Sequence, residues 1–372
     1  MARVVALSRR NITHPSAGGA SQYLHEVLRR LTKFNDIVVL SEGARRGRER
    51  EEIDGIQYVN VRTAFPRFAI PIKYFTSFAK TADVLIDHAD VAIPWLSPLF
   101  VSKPRITIVH QLVKEIYYYQ LTRPLAEVGV RAEKAIYKLY SRSRIVASSG
   151  STAKELAEFG IPSRNISVIT PGYDKHAVSR LPLRDRALRV GCVSRLVRYK
   201  GIQCALLAFR EVLRTCPHAT FRIAGTGPYQ QALAQVTESL GIGRNVEFLG
   251  RIQQETKFDL LSKSRVAVFP SIRDGYGISV IEANSVGTPV VGWNVPGPQD
   301  SIVDGITGFL SPFPDERAFA ANVTKLLTDD ATWERLSENA REKANAFSWD
   351  RAASDFGKVI ESSLSDAVVE RT

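Results

Sequence analysis

The sequence predicts an α/β protein made of two doubly wound units in tandem, each a parallel sheet covered by helices on both faces. Three observations carry this. Short apolar runs alternate with stretches of helical periodicity along almost the whole chain. The alternation comes in two series, separated by the polar, aperiodic stretch "PGYDKHAVSRLPLRDRA" (171–187), which reads as a linker. The length, 372 residues, suits two domains of ordinary size.

In the first series, "RVVALS" (3–8) is a strand that meets the loop "RRNITHPSAGG". Ala20, Tyr23, Leu24, Val27, Leu28 and Leu31 then recur on one helical face, so a helix starts at or near Gly18-Gly19. "DIVVL" (36–40), "DVLID" (83–87), "RITIVH" (105–110), "RIVASS" (144–149) and "ISVIT" (166–170) are the next strands. The charged stretch "EGARRGREREEIDG" (42–55) reads as a mobile surface loop. The second series runs "RVGCVS" (189–194), a helix from about Ile202, "TFRIAG" (220–225), a helix around 229–240, "VEFLG" (246–250), "RVAVFP" (265–270) and "PVVGW" (289–293). From Trp333 to about Leu364 the pattern is helical, with a break near "FSWD" (347–350). Tandem doubly wound units are expected to face a central cleft at the carboxyl ends of their strands.

Composition narrows the class. Hydrophobic content of 44% and charge of 24% are those of a soluble globular protein. The longest apolar run, "VAIPWLSPLFV" (91–101), holds two prolines and falls well short of the roughly 20 residues of a membrane helix. The apolar part of "MARVVALSRR" is too short for a signal peptide, so a cytoplasmic location is the default. Cys192, Cys204 and Cys216 form no CxxC pair and no Cys/His cluster, and read as reduced packing residues. Of the net charge of +12, the surplus lies in residues 1–175, with 26 Lys/Arg against 16 Asp/Glu. Nucleic acid, anionic headgroups and anionic polymers are all drawn to such a surplus, and charge alone does not choose among them.

The most informative stretch is "RDGYGISVIEA" (273–283). It follows a strand, turns at Gly275, Tyr276 and Gly277, and enters a short helix that stops at Gly287. Asp274 sits at the turn, and Glu282 about two turns into the helix on nearly the same face. A helix N-terminus between them offers backbone N–H groups to an anion. "VSRLVRYKG" (193–201) sets Arg195 and Lys200 around another strand-to-helix turn, a pair that suits a pyrophosphate. "IAGTGP" (223–228), with Gly225 and Gly227, is a tight turn lacking the dinucleotide fingerprint, and "GGAS" (18–21) is either a helix start or an anion contact. His88 and His110 lie at strand ends, where a structural role competes with a functional one. No spacing suggests a metal site.

Together "VSRLVRYKG", "IAGTGP", "VEFLGRI", "FPSIRDGYGISVIEANSVGTPVVG" and "FSWD", with "GGA", "TIVHQ" and "GIPSRNISVITPGYD" in the first half, resemble the retaining glycosyltransferases of family 4, of GT-B fold. The resemblance covers nearly the whole chain and is strongest over 270–291. It implies an acceptor-binding, Rossmann-like domain at 1–178, onto which the last helix (349–372) crosses back, and a nucleotide-sugar-binding one at 179–348. Arg195 and Lys200 match the diphosphate-binding pair. Glu282 matches the acid that holds the ribose, and Asp274 the acid on the sugar, one methylene shorter than the usual Glu. Gly277, Ile278 and Ser279 would offer backbone amides to phosphate or sugar, with Gly275 and Tyr276 in the same turn. Backbone near Arg251 and Ile252 would meet the base, and Gly18 and Gly19 match a loop close to the diphosphate. His110 matches the histidine at the reaction centre, followed here by Gln111 instead of the usual Asp.

The expected activity is therefore transfer of a hexose-type sugar from a UDP- or GDP-linked donor to a hydroxyl of a lipid-linked or glycan acceptor. The resemblance implies retention of anomeric configuration, no cofactor and no metal. It points to cell-envelope polysaccharide, glycolipid or protein-glycan biosynthesis. The basic, aromatic stretches 67–80 and 117–144 suit reversible contact with an anionic membrane surface, on the inner face of the cell membrane. Rival readings are a GT-B-shaped nucleotide-sugar epimerase or phosphorylase, a nicotinamide oxidoreductase, and a basic nucleic-acid-binding protein. The last has no recognisable motif behind it, and nucleic acid is not an expected partner.

Overall fold

A computed structural model describes residues 1–42, 48–61, 65–89, 94–173 and 181–369. The chain divides into two compact units, Met1–Gly172 with Ser348–Thr372, and Tyr173–Phe347.

The first unit contains β1 (Ala2–Arg10), α1 (Gly19–Leu31), β2 (Asn35–Glu42), β3 (Arg50–Ile53), β4 (Ile56–Val61), α2 (Pro66–Ser77), β5 (Val84–Ala89), β6 (Arg105–Val109), α3 (Tyr117–Gln120), α4 (Arg123–Lys138), β7 (Arg144–Ala147), α5 (Gly150–Glu158) and β8 (Ile166–Val168). Its sheet runs β3-β4-β2-β1-β5-β6-β7-β8. Every pairing but β3/β4 is parallel. Val4, Val5, Ala6 and Leu7 of β1 are all buried, as a central strand covered on both faces requires. Strand order reverses between β1 and β5, which is the switch point of this sheet.

One expectation is corrected here. Among the described residues of 42–55, Arg50–Ile53 is not a loop but an antiparallel edge strand paired with β4. Asp54 and Gly55 both have positive φ, 52° and 79°, which is the two-residue hairpin turn that Asp-Gly favours. Glu51 is tied to the unit by Asn11 and Asn60, whose side-chain amides donate to its Oε1 at 3.2 and 3.0 Å. Charge density masked a strand whose acid has inward partners.

The second unit contains β9 (Ala187–Val193), α6 (Ile202–Thr215), β10 (Thr220–Ala224), α7 (Gln230–Ser239), β11 (Val246–Gly250), α8 (Gln254–Ser262), β12 (Ser264–Phe269), α9 (Ile278–Ser285), β13 (Val290–Trp293), α10 (Pro298–Ser301), β14 (Gly308–Ser311), α11 (Glu316–Thr328) and α12 (Asp330–Ala344). Its sheet is wholly parallel, in the order β11-β10-β9-β12-β13-β14. The switch point falls between β9 and β12. Residues 174–180 of the expected linker, and with them the boundary expected at 178/179, lie outside the described residues. Its end is ordered: Leu183–Asp185 is a 3₁₀ turn, and buried Arg186 donates to Ser264 O at 2.8 Å and Val286 O at 2.6 Å.

The last helix, α13 (Trp349–Val369), belongs to the first unit. Trp349 is buried, with its ring edge-on to Tyr23 of α1 at 5.9 Å, and Asp350 accepts from Arg30 at 2.6 Å. The two motifs "ITPG" and "FSW" meet: a β-carbon on Gly172 would lie 2.2 Å from the backbone nitrogen of Trp349. Gly172→Ala therefore forces backbone apart, and a loss of about 1–3 kcal/mol in chemical denaturation is expected. An unchanged midpoint would show that this crossing is loose.

Candidate functional site

In the second unit the sequence-predicted residues gather at the carboxyl ends of β9 and β12. Lys200 ends a 3₁₀ turn, Arg198–Lys200, and Gly201 follows with φ of 66°. A β-carbon on Gly201 would sit 2.0 Å from the carbonyl oxygen of Pro270, so only glycine lets the β9 loop lie against the β12 loop. That contact carries Lys200 to Asp274. The Lys200 ammonium pairs with Asp274 Oδ2, and both side chains are largely shielded, at 10% and 18% exposure. Asp274 Oδ2 also accepts from Ser271 Oγ at 3.3 Å, and its Oδ1 from the Gly275 N–H at 2.8 Å. Rings of Tyr199 and Phe269 flank the ammonium, with centroids at 5.5 and 5.8 Å. Arg195 is exposed and donates to Tyr199 Oη at 2.6 Å.

Gly277, with φ of 96°, starts α9, and its missing β-carbon makes room for the Phe269 ring, which would lie 2.8 Å away. Ile278 and Ser279 open the helix and are half-buried. Because α9 begins at Ile278, Glu282 lies just over one turn inside it, not two as the spacing implied. The two acids are each met by a lysine, and not by the same one: Glu282 Oε1 accepts from Lys257 Nζ at 2.5 Å. Sequence reasoning missed Lys257. It stands in α8 beside Phe258 and Leu261, on a short helix where a lysine next to the apolar face reads as solvated. Ser271 and Tyr199 were missed too, since neither residue type signals anything until the turns are closed.

Other predicted positions take packing roles here. A β-carbon on Gly225 would lie 1.8 Å from Ser194 O, and one on Gly227 2.2 Å from Leu196 O. The "IAGTGP" turn is thus stacked on the loop that carries Arg195. Gly225 N–H donates to Gly250 O at 2.7 Å, which brings Arg251 and half-buried Ile252 beside it. The Tyr276 side chain is buried among Tyr173, Ile281, Ala344 and Phe347, and burial raises its phenol well above the ordinary value. Burial pushes the thiols of Cys192 up to about 12 and Cys204 to about 11, which keeps both protonated and poor nucleophiles.

In the first unit three neighbouring strands line up a polar row. Ser8 (β1), His88 (β5) and His110, directly after β6, are joined by hydrogen bonds: Ser8 Oγ to His88 Nδ1 at 2.9 Å, and His88 Nε2 to His110 Nε2 at 2.8 Å. His88 is buried, and burial with the neighbouring His110 lowers its pKa well below the histidine norm, so it is neutral at pH 7. His110 is half-buried, its carbonyl accepting from Ser148 Oγ at 2.8 Å and Thr152 Oγ1 at 3.1 Å. Asp87, on the opposite face of β5 from His88, accepts from Ser97 Oγ, Tyr140 Oη and Trp95 N–H at 2.6–2.9 Å. Gly18 is the extended residue before α1 and Gly19 its exposed first residue.

Two tandem doubly wound sheets of this order are the architecture of the GT-B fold. The family model "Glycosyltransferase Family 4" matches residues 17–176 and "Glycosyl transferases group 1" matches 177–343. The chain belongs to the family 4 glycosyltransferases. A glycogen synthase of Mycobacterium tuberculosis is 31% identical over 58% of this chain and 53% of its own length. A D-inositol 3-phosphate glycosyltransferase of Corynebacterium diphtheriae is 31% identical over 56% and 50%. The matches thus span about half the length of these relatives. Among solved structures, sucrose-phosphate synthase from Thermosynechococcus elongatus superposes with a TM-score of 0.80 at 20% identity, covering 97% of this chain and 99% of that one. Anabaena HepE in complex with UDP-glucose gives 0.78 at 18% identity, with the same coverage. These likenesses show the fold.

Lys200→Met strands a largely buried carboxylate and is expected to cost about 3 kcal/mol in equilibrium unfolding. Adding Asp274→Asn should recover much of that loss. Additive penalties in the double mutant would mean the two side chains are not coupled.

Proposed function

We propose that this chain transfers a hexose-type sugar from a UDP- or GDP-linked donor to a hydroxyl of a lipid-linked or glycan acceptor, with retention and without a divalent metal. The observation that carries this is the shielded Lys200, held by Asp274 at the switch point of the second sheet, with exposed Arg195 five residues before it. Two cations at that point would stabilise the charge that grows on a departing nucleoside diphosphate. Cell-envelope polysaccharide, glycolipid or protein-glycan synthesis is the setting such a reaction serves.

Each residue then has a role. Arg195 and Lys200 take the diphosphate, with the α9 N-terminus at Gly277, Ile278 and Ser279 adding backbone N–H groups. Glu282 takes ribose hydroxyls while Lys257 stays on the same carboxylate. Asp274 accepts from a sugar hydroxyl. Its three partners favour that use over nucleophilic attack, because a carboxylate tied by an ammonium, a hydroxyl and an amide is a weak nucleophile. The proton of the attacking acceptor hydroxyl then passes to the leaving phosphate oxygen, as the new bond forms on the face the diphosphate leaves. His110 serves the reaction centre from the first unit, which binds the acceptor. Uridine nucleotides are the first donors to try, since HepE is solved with UDP and UDP-glucose.

A lipid-linked acceptor brings the membrane surface with it. Among the described residues no helix is long and apolar enough to cross a membrane. Yet α2 and the residue before it leave Phe65, Phe68, Ile72 and Phe75 at least half exposed, beside Arg67 and Lys73, while Ile70 and Tyr74 fill the core. Leu125 and Val128 of α4 are also more than half exposed, on a helix carrying Arg123, Arg131, Lys134 and Lys138. Apolar side chains among cations suit reversible docking on anionic lipid in the cytoplasm, at about 1 kcal/mol per basic residue.

Two outcomes follow. In EDTA, either UDP or GDP at a hundred times its dissociation constant should stabilise the chain by about 2.7 kcal/mol, or several degrees in a thermal shift. Stabilisation by NAD or short oligonucleotides alone would overturn the reading. Separately, the chain should sediment with phosphatidylglycerol vesicles at low salt, and Phe68→Ser with Ile72→Ser should release it. Equal sedimentation with neutral vesicles, or none at all, would remove the membrane from the account.

A further inference from the structure

We infer that Tyr199 is a positioning residue that holds the Arg195 guanidinium beside Lys200, an inference that rests on the reading of these two cations as the diphosphate-binding pair.

The local backbone puts Tyr199 where both cations reach it. β9 ends at Val193, and a short loop leads through Arg195 to the 3₁₀ turn Arg198–Lys200. The turn closes with the Lys200 N–H on Val197 O at 3.0 Å and the Gly201 N–H on Arg198 O at 3.2 Å. Tyr199 is also fixed from outside the turn. Its carbonyl accepts at 3.1 Å from the N–H of Ile272, on the loop that leads to Asp274. The loop before it is pinned as well: the Leu196 N–H donates to Thr226 O, and Leu196 O accepts from the Tyr229 N–H, both at 3.0 Å. The Tyr199 side chain is buried, at 8% exposure, whereas Arg195 is exposed. All of these residues belong to the second unit.

On this frame one phenol meets two cations. Arg195 Nη2 donates to Tyr199 Oη at 2.6 Å, and the guanidinium carbon lies 6.0 Å from the ring centroid. The Lys200 ammonium lies 5.5 Å from the same centroid, with Asp274 as its ion partner. Two like charges brought to one place repel, and the negative face of an aromatic ring offsets part of that repulsion. Lys200 is already shielded and paired. Arg195 is the cation that gains from a guide, because an exposed arginine samples many rotamers and ordering it on an anion costs entropy. With the guanidinium held on the Tyr199 hydroxyl, that entropy is lost in folding and not in binding. One hydrogen bond orients the guanidinium plane, and a fork of five N–H donors keeps capacity for phosphate oxygens. Tyr199 does this without touching the nucleotide.

The first arm of the test needs no ligand. Tyr199→Phe keeps the buried ring and removes only the hydroxyl. Side-chain ¹⁵N relaxation at arginine Nε, with the Arg195 signal assigned from Arg195→Ala, should give an order parameter above about 0.6 in wild type and well below it in Tyr199→Phe. A mobile Arg195 in wild type, or one equally ordered in Tyr199→Phe, would overturn the inference.

The second arm titrates UDP and GDP in EDTA. For whichever binds, Tyr199→Phe should weaken binding about three- to tenfold, the net effect of one hydrogen bond. In the Arg195→Ala background, which keeps Lys200, the same substitution should add no further loss. Equal losses in the two backgrounds would make Tyr199 a merely structural residue and overturn the inference, as would unchanged affinity in Tyr199→Phe. An ordered Arg195 in wild type with neither nucleotide bound would leave the Tyr199–Arg195 hydrogen bond standing and sink the diphosphate reading, and the positioning role with it.

Discussion

At the carboxyl ends of β9, β10, β12 and β13, loop backbones lie against one another at distances that leave no room for a β-carbon. Gly225 sits over Ser194, Gly227 over Leu196, Gly201 over Pro270, and Gly297 over Asp274, where an added β-carbon would be 2.5 Å from the Asp274 carbonyl oxygen. Four strand ends are thereby locked into one block. Lys200 precedes one of these glycines and Asp274 faces another, so their pairing follows from backbone packing and not from a search by two flexible side chains. The Lys200 ammonium is thereby shielded and fixed on Asp274 by the backbone around it. The loop that carries exposed Arg195 is held in the same block, stacked against the Gly225–Gly227 turn.

The first unit solves a related problem with polar side chains in place of glycine contacts. Adjacent strands put Ser8, His88 and His110 in one row, and the alternation along β5 sends Asp87 to the other face. One residue step separates two buried polar systems with different duties. Asp87 ties down the chain after β5 through Trp95, Ser97 and Tyr140. His88 ties down a ring. A slip of one residue in β5 would exchange them and lose both.

Much of this was readable in the sequence because the signals were local. β9, β11 and β12, the start of α6, and the Gly277-led helix all follow from apolar runs bounded by glycine. Arg195, Lys200 and Asp274 were legible as residues at strand-to-helix turns, and Glu282 as an acid inside the helix that follows. What stayed hidden depends on who faces whom. Lys257 is 25 residues before Glu282, and no spacing rule joins them. Ser8 and His88 are 80 residues apart and meet only once β1 and β5 pair. Gly225 and Gly227 were legible as a tight turn, but the backbone they lie against, at Ser194 and Leu196, is about 30 residues earlier in the chain and no spacing rule points to it. The β3–β4 hairpin was hidden by its charges, although Asp54-Gly55 announced it.

The central claim is that Lys200 takes the diphosphate while its partner Asp274 takes the sugar. Calorimetric titration of UDP and UDP-glucose in EDTA, on wild type, Lys200→Ala and Asp274→Asn, tests it most directly. The account predicts that Lys200→Ala weakens both ligands alike, by more than about tenfold given a desolvated cation on phosphate. It predicts that Asp274→Asn retains UDP and loses the advantage of UDP-glucose over it. Unaltered UDP binding in Lys200→Ala would contradict the account, because the shielded cation at the switch point would then have no part in holding the donor.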